Sequence, residues 1–409
     1  MSSAGLWVLA WKNLWRNRRR TLITVLSVAA GLSALLFAQS LIETIQVQLV
    51  AKSTGIHTGH LQVLEKDTPD MKFPDRWIPD AAPVVKALRS LPNVAAFQSR
   101  VVVTGLLSSK NESAGVMLVG VEPDKDPKVL AISTYLKEGR ILRPGDAGLY
   151  IGDTLAGQLG VKAGDEVVMM ATTRDGSMGA ELARVVGIYH TGSYTFDVSL
   201  AYADIGQVQR MMAAEGLVND FVVRLQDADR LEETRARLAE SLKGLPLRAA
   251  TWEEIDYELV GIRDYQDALL RIILGVVFLI VALGIVNTLL MSMFERVREF
   301  GLLMALGARR GFIGRLVVAE SVLLGVLGAA AGLAAGSALI LYYGRQGLRL
   351  PINDAVGFFM PFDALLYLRF DWPRHFVALA CVFLTCALSG LPPALRAMRL
   401  KPAQALRQT

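Results

Sequence analysis

Residues 272–294 read Ile-Ile-Leu-Gly-Val-Val-Phe-Leu-Ile-Val-Ala-Leu-Gly-Ile-Val-Asn-Thr-Leu-Leu-Met-Ser-Met-Phe, 23 residues without a charge. Glu295-Arg-Val-Arg-Glu-Phe-Gly-Leu-Leu-Met-Ala-Leu-Gly-Ala-Arg-Arg follows at once. A helix rises about 1.5 Å per residue, so such a run crosses the ~30 Å hydrocarbon core of a bilayer. Three further uncharged runs reach a similar length: 21–42, 321–344 and 376–395, of 22, 24 and 20 residues. Four transmembrane helices are expected, over 21–42, 271–294, 316–344 and 375–395. They account for a mean hydropathy of +0.38 over the chain. With 53% hydrophobic and 20% charged residues among 409, a disordered chain is excluded and an ordinary soluble enzyme disfavoured.

Charge around these runs sets the expected topology. Segments 1–20 (Lys12, Arg16, Arg18, Arg19, Arg20), 295–315 and 396–409 together hold 14 bases and 2 acids, whereas 43–271 holds 25 bases and 32 acids. Basic flanks stay in the cytoplasm. Both termini and the 295–315 loop are therefore expected inside, with 43–270 and 345–374 outside. The pI of 9.2 then reflects membrane topology, and no nucleic-acid partner is expected. The first run is too long for a cleaved signal and lacks a small-residue cleavage site, so it reads as a retained anchor. Cys381 and Cys386 fall on different faces of the last run and read as packing residues, with neither a disulfide nor a metal role.

The expected fold class is an α-helical membrane protein with four transmembrane helices plus a large α/β extracytoplasmic domain between helices 1 and 2. In that domain, strand-like runs cover 60–64, 101–107, 116–121, 166–170, 185–189 and 220–225, and helical patterns cover 82–91, 204–214 and 228–243. A Pro, Asp and Lys cluster at 123–127 suggests a membrane-proximal lobe (54–123 and 204–251), an outer lobe (124–203) and a stalk (252–270). Trp7, Trp11, Leu14 and Trp15 recur on one helical face, as in an in-plane interfacial helix over 1–20. Gly328, Gly332 and Gly336 form a small-xxx-small stripe for close helix packing, against either a neighbour in this chain or another subunit.

Chemistry-bearing motifs are missing: there is no GxxxxGK[ST], HExxH, CxxC or GxSxG, and an enzyme is not supported. His57 and His60 flank Gly59 at a strand start and read as structural; His190 and His375 read as isolated. No metal or cofactor is expected on this chain. The loop after residue 294 is more informative. Its apolar segment between charged flanks would place Phe300, Leu303 and Leu306 on one side of a short helix, a surface for a partner. The alternative is an ordinary re-entry turn between spans.

Arg298-Glu-Phe-Gly301, Ala305-Leu-Gly-Ala308, Ile313 and Glu320 resemble the loop and third-span entry of the FtsX/MacB/Lol-type ABC permease superfamily. Trp11-Lys-Asn-Leu-Trp-Arg-Asn-Arg-Arg-Arg-Thr-Leu is similar to that family's start. Leu391-Pro-Pro-Ala-Leu-Arg-Ala and Lys401-Pro-Ala-Gln-Ala-Leu-Arg are similar to its end. The resemblance implies a non-catalytic permease half in a bacterial inner membrane. It would pair with a second half, identical or related, and dock two copies of a cytoplasmic ABC ATPase that carry the ATP and Mg. Arg298, Glu299, Phe300, Gly301, Leu303, Ala305, Leu306, Gly307, Ala308 and Arg309 would form its coupling helix. Closure of the ATPases would move the stalks and the outer domains, the process called mechanotransmission.

Within the family, Thr58-Gly-His-Leu-Gln-Val and the total length resemble the lipoprotein-releasing branch. A MacB-like efflux permease and an FtsX-like module activating a cell-wall hydrolase are the alternatives. Some Lol-type subunits carry a long hook for a periplasmic chaperone; here Thr173-Arg-Asp-Gly-Ser-Met-Gly-Ala is short, with Asp175-Gly176 at its turn. A lipoprotein substrate implies an apolar wall open to membrane lipids. Phe37, Leu41 and Ile45 are expected to face Ile262, Leu269 and Ile273 there.

Overall fold

The computed structural model describes residues 3–350 and 365–401. Residues 351–364 of the expected outer loop, and 402–409 with most of the Lys401-Pro-Ala-Gln-Ala-Leu-Arg motif, lie outside them. In chain order the elements begin with α1 (Ser3–Arg16) and α2 (Arg18–Ser53), followed by a π turn at Thr54–Thr58. Next come β1 (Leu61–Glu65), α3 (Ala82–Ser90), β2 (Val94–Ser108), β3 (Ser113–Val121), α4 (Asp126–Val129), β4 (Leu136–Gly139) and β5 (Gly148–Gly152). Then follow α5 (Asp153–Leu159), β6 (Glu166–Thr172), β7 (Met178–Tyr189), α6 (Tyr194–Ser199), β8 (Leu200–Asp204), α7 (Ile205–Met211), β9 (Asp220–Leu225), α8 (Leu231–Ser241) and β10 (Leu247–Thr251). The chain continues through α9 (Trp252–Ile255), α10 (Tyr257–Glu295), α11 (Val297–Ala305), α12 (Arg310–Gln346), α13 (Trp372–Ser389) and α14 (Leu391–Met398). Among the described residues, four stretches are long and apolar enough to cross a membrane: Arg18–Thr58, Tyr257–Glu295, Arg310–Gln346 and Trp372–Met398. The chain forms two compact units.

Of the described residues, the helical unit comprises 3–45, 264–350 and 365–401. Its core gathers Leu32, Leu35 and Leu36 of α2, Ile285 of α10, Leu324 of α12, and Val382 and Cys386 of α13. On α10, Ile272, Val276, Leu279, Ile280 and Leu283 stay exposed, an apolar face suited to lipid. The last expected span, 375–395, falls within Trp372–Met398, where α13 stops at Ser389 and α14 starts at Leu391, with Gly390 between them still in the helical region at φ −75° and ψ −18°. Pro392 and Pro393 lack the N–H that a continuing helix needs, and fit only its first turn. In α1, Trp7, Trp11 and Trp15 are exposed as expected of an interfacial face, but Leu14 is buried with Leu6 and Ala10. Leu14 sits at the edge of that face and turns inward.

The strand-containing unit spans 46–263. Six strands close a ring: β2 pairs with β3, β3 with β8, β8 with β5, β5 with β7, β7 with β6, and β6 returns to β2. Alternate residues fill it, among them Val116 and Leu118, Leu149 and Ile151, Val167 and Met169, Ala183 and Val185, and Ala201 and Ala203. That is the period-two pattern of a small barrel interior. The first half of β2 pairs instead with β9, and β9, β1 and β10 extend the sheet. Helices α3 and α8 cover this extension, with Val84, Leu88, Leu238 and Leu242 against Val63, Phe221 and Val223. The expected lobe boundary near residue 124 therefore does not hold. Strands β2 and β3 precede it and β5 to β8 follow it, yet all belong to one hydrogen-bonded ring. Long-range pairing of this kind leaves no mark on local periodicity.

Candidate functional site

Helix α11 lies between two of the apolar stretches. Arg296, buried, turns the chain into it. Its Nη1 donates to Oε1 of the buried Glu320 at 2.9 Å, and Asn13 Nδ2 donates to the same oxygen at 2.7 Å. Arg296 Nε donates to Glu299 Oε2 at 3.1 Å, and its guanidinium lies 5.0 Å from the Phe300 ring centroid. Arg16 Nη1 donates to Glu299 Oε1 at 2.6 Å, and Arg20 Nη1 to Glu295 Oε1 at 3.1 Å. Burial opposes the Glu299 charge, but the hydrogen bonds from Arg16 and Arg296 outweigh it and hold this carboxyl below its ordinary range. One polar knot thus ties α1 and α12 to α11. The helix ends where Gly307 adopts φ +95°. There Gly307 N donates to Met304 O and Ala308 N to Leu303 O at 3.1 and 2.9 Å. This is a Schellman stop, which favours glycine because it needs positive φ.

The expected partner face of α11 is corrected. Phe300 is only 1% exposed and packs with Leu6, Ala10, Met293, Ile313 and Leu316. Gly301 is buried and Leu303 and Ala308 half-buried. The exposed face carries Arg298, Glu299, Ala305, Gly307 and Arg309, together with Leu302 at 53% and Leu306 at 77%. At 100° per residue, Phe300 and Leu303 lie on one side of the helix, while 298, 302, 305 and 306 lie on the other. Leu302, Asn13 and Arg296 escaped the sequence reading. Glu320 entered only as one of the residues that carry the family resemblance, without a role of its own.

For the glycine stripe, the structure decides the open question in favour of this chain's own α2. A Cβ at Gly332 would stand 2.8 Å from Ala29 O and 2.9 Å from Leu32 Cβ; one at Gly328 would stand 2.6 Å from Val28 Cβ. At Gly336 the nearest atom would be Leu36 Cδ1 at 3.1 Å. The six residues of the expected apolar wall divide between the two units. Phe37 meets Tyr343 edge to face at 5.9 Å and, with Leu41, joins the helical core. Leu269 and Ile273 remain exposed outside that core. Ile45 is half-buried at the end of the helical unit's part of α2, and Ile262 belongs to the strand-containing unit.

In the strand-containing unit, His190 is not isolated. Its Nδ1 lies 2.9 Å from Asp153 Oδ2 and 3.2 Å from Asp197 Oδ2. The buried Asp197 also accepts from Thr191 N and Oγ1 at 2.9 and 2.7 Å. Burial pushes the Asp197 carboxyl up, partly offset by those Thr191 bonds. Among the described residues, these three form the one group whose ligand atoms lie close enough to hold a metal. Lys137 Nζ already sits 2.8 Å from Asp153 Oδ2, so an ammonium compensates the charge of that carboxylate where a metal ion would otherwise do so. His57 and His60 do not pair on a metal: His60 Nδ1 accepts from Leu225 N at 2.9 Å. At the bend of β2, Arg100 is fully buried against Asp220, with Nε 2.7 Å from Oδ2, and its Nη1 donates to His57 O at 2.7 Å.

Two family models match the chain: the MacB-like periplasmic core domain over residues 21–241, and the FtsX-like permease C-terminal domain over 271–402. The lipoprotein-releasing system transmembrane protein LolC of Xylella fastidiosa (strain Temecula1) is 25% identical over 77% of this chain and 78% of its own length. LolC of Neisseria meningitidis serogroup B is 23% identical over 95% and 94%. The macrolide export ATP-binding/permease protein MacB of Hyphomonas neptunium is 24% identical over 97% of this chain and 60% of its own. The crystal structure of the periplasmic region of MacB from Actinobacillus actinomycetemcomitans covers 52% of this chain and 97% of that one, at 14% identity and a TM-score of 0.37. With both models matched in order and together spanning most of its length, the chain belongs to the FtsX-like permease family and carries a MacB-like periplasmic core domain.

Proposed function

We propose that this chain is the non-catalytic permease half of an inner-membrane ABC transporter that extracts lipoproteins from the outer leaflet by mechanotransmission. ATP and Mg are handled by two copies of a separate cytoplasmic ATPase, and a second permease half, identical or related, completes the complex. The observation that carries the reading is α11: an exposed Leu302, Ala305 and Leu306 surface between Arg298 and Arg309, held rigid by the buried Arg296–Glu320 pair. Such a face suits an apolar groove with a polar rim. In this reading both termini and α11 are cytoplasmic, and the strand-containing unit is extracytoplasmic. Lipoprotein as cargo is supported by the two LolC relatives, which align over most of both chains. The β6–β7 turn is short, closed by Asp175 and Gly176, so any periplasmic chaperone docks elsewhere in the complex. Export from the periplasm is the second reading, favoured by the alignment of MacB and of a pyoverdine export protein of Pseudomonas syringae over 97% of this chain.

Leu306→Asp tests the proposal. Burying a carboxylate in an apolar groove costs several kcal/mol unless it is paired. The variant is expected to insert normally, lose the co-purifying ATPase and stop lipoprotein release from spheroplasts. Unchanged co-purification and release would overturn the role of α11. Normal coupling of the unmodified chain with no lipoprotein release would favour export.

A further inference from the structure

The helical unit carries an open groove of about 460 Å³, apart from the exposed face of α11 and from the α2–α12 glycine contact. Sites for small ligands enclose roughly 300–1,000 Å³. Its floor is one continuous face of α12, on which Gly311, Arg315, Val318 and Val322 recur at helical spacing. From residue 311 to 322 a helix rises about 16 Å, so the groove is long and narrow. Leu6 and Trp7 of α1 form one bank, and Leu391, Leu395 and Met398 of α14 form the other. A Cβ at Gly314 would meet Met398 Sδ at 2.6 Å, and one at Gly390 would meet Ser321 Cβ at 2.6 Å. Helix α14 therefore runs antiparallel along α12, with Met398 at the Arg315 end and Leu391 toward Val322.

The two ends differ in chemistry. The Val322 end lies in the uncharged run 321–344, at a depth that a water-soluble partner does not enter. At the other end Arg315 is exposed, the charged residue among those lining the groove. Among the described residues it has no ion pair and no side-chain hydrogen bond. The nearest acids along the chain are taken: Glu320 by Asn13 and Arg296, Glu299 by Arg16 and Arg296. Arg310, Arg396 and Arg399 are exposed as well, and 300–319 and 390–401 hold no Asp or Glu. An apolar trough that opens on an unmatched guanidinium complements an acyl chain ending in a phosphate, which arginine grips with two hydrogen bonds. The surplus of cations selects a headgroup of net negative charge. Trp7 on the bank, with Trp11 and Trp15 exposed on the same helix, suits the headgroup level.

We infer that this groove seats an anionic phospholipid, with one acyl chain along Val318 and Val322 and its phosphate on Arg315. The full chain is placed in nanodiscs and photolysed in two arms, with phosphatidylglycerol or phosphatidylcholine carrying a diazirine in one acyl chain. Labelled peptides are then mapped. The phosphatidylglycerol arm is expected to label 318–322 or 391–395 more strongly than the phosphatidylcholine arm. Arg315→Gln, at an exposed position, is expected to lower that labelling about fivefold, the weight of one cation beside an anionic lipid. Val318→Trp, which fills the trough at a half-buried position, is expected to abolish it. Thermal unfolding of both variants is checked against the parent chain. Equal labelling in the two arms, or labelling that neither variant changes, reports ordinary bilayer contact and overturns the inference. Labelling that appears only after residues 402–409 are removed assigns the groove to that segment and overturns it too.

Discussion

Glu320→Leu isolates what the polar knot contributes to holding α11. The substitution keeps an apolar side chain in a buried slot and removes the acceptor shared by Arg296 and Asn13. Breaking a buried pair by deleting one partner typically costs about 3–5 kcal/mol, because the remaining charge is stranded. Arg296 keeps two other contacts, with the half-exposed Glu299 carboxylate at 3.1 Å and with the Phe300 face. These reduce the expected cost to roughly 2–4 kcal/mol. At about 1.4 kcal/mol per decade, that moves the docked-to-undocked equilibrium of α11 by a factor of about 30 to 700. Hydrogen exchange of amides 297–305, followed by mass spectrometry in detergent or nanodiscs, reads this factor as lost protection. Arg296→Met with Glu320→Leu removes both charges together and is expected to recover most of the protection, since apolar replacement of a whole buried pair is close to neutral. If Glu320→Leu leaves exchange unchanged, or the double variant is as unprotected as the single one, the knot does not hold α11.

Three further outcomes are expected. Burial pushes the Asp126 carboxyl up to about 6, despite the hydrogen bond from Gln98 and the nearby Arg100; its charged form therefore weighs against folding, and stability should fall as pH rises from about 4 through 6 and stay lower above. Asp126→Asn should then stabilise the strand-containing unit by up to roughly 3 kcal/mol at pH 7.5 and not at pH 4, read by chemical unfolding; equal effects at both pH values would refute this. Gly332→Leu should force α2 and α12 apart and cost several kcal/mol, whereas Gly275→Leu, with open space around it, should leave thermal unfolding of the helical unit nearly unchanged; similar losses at both sites would refute the packing argument. With Cys381 and Cys386 replaced, a cysteine at Ser109 should react with an impermeant maleimide in intact spheroplasts and one at Arg309 should not; the opposite labelling would invert the proposed topology.

The sequence by itself determined the features that depend on neighbours along the chain. An uncharged run of 22 or 23 residues must be a helix if it is to sit in a bilayer, whatever surrounds it. Gly307 after an apolar segment marks a helix stop. Tertiary structure decided everything that depends on residues distant in the chain. Asn13 and Glu320 share a hydrogen bond across 307 positions, and no periodicity encodes that meeting. The burial of Phe300 and the exposure of Leu302 follow from which side of a nine-residue helix its neighbours cover. An amphipathic pattern shows that a helix has two faces, but not which one another part of the same chain has already taken. The ring through β2, β3, β8, β5, β7 and β6 likewise rests on pairings between segments far apart. Proline and charge near residue 124 suggested a boundary where backbone hydrogen bonds run across it. Packing and pairing between distant segments satisfy the polar groups and fill the space, so they, and not the local pattern, chose which residues of this permease remain available to a partner.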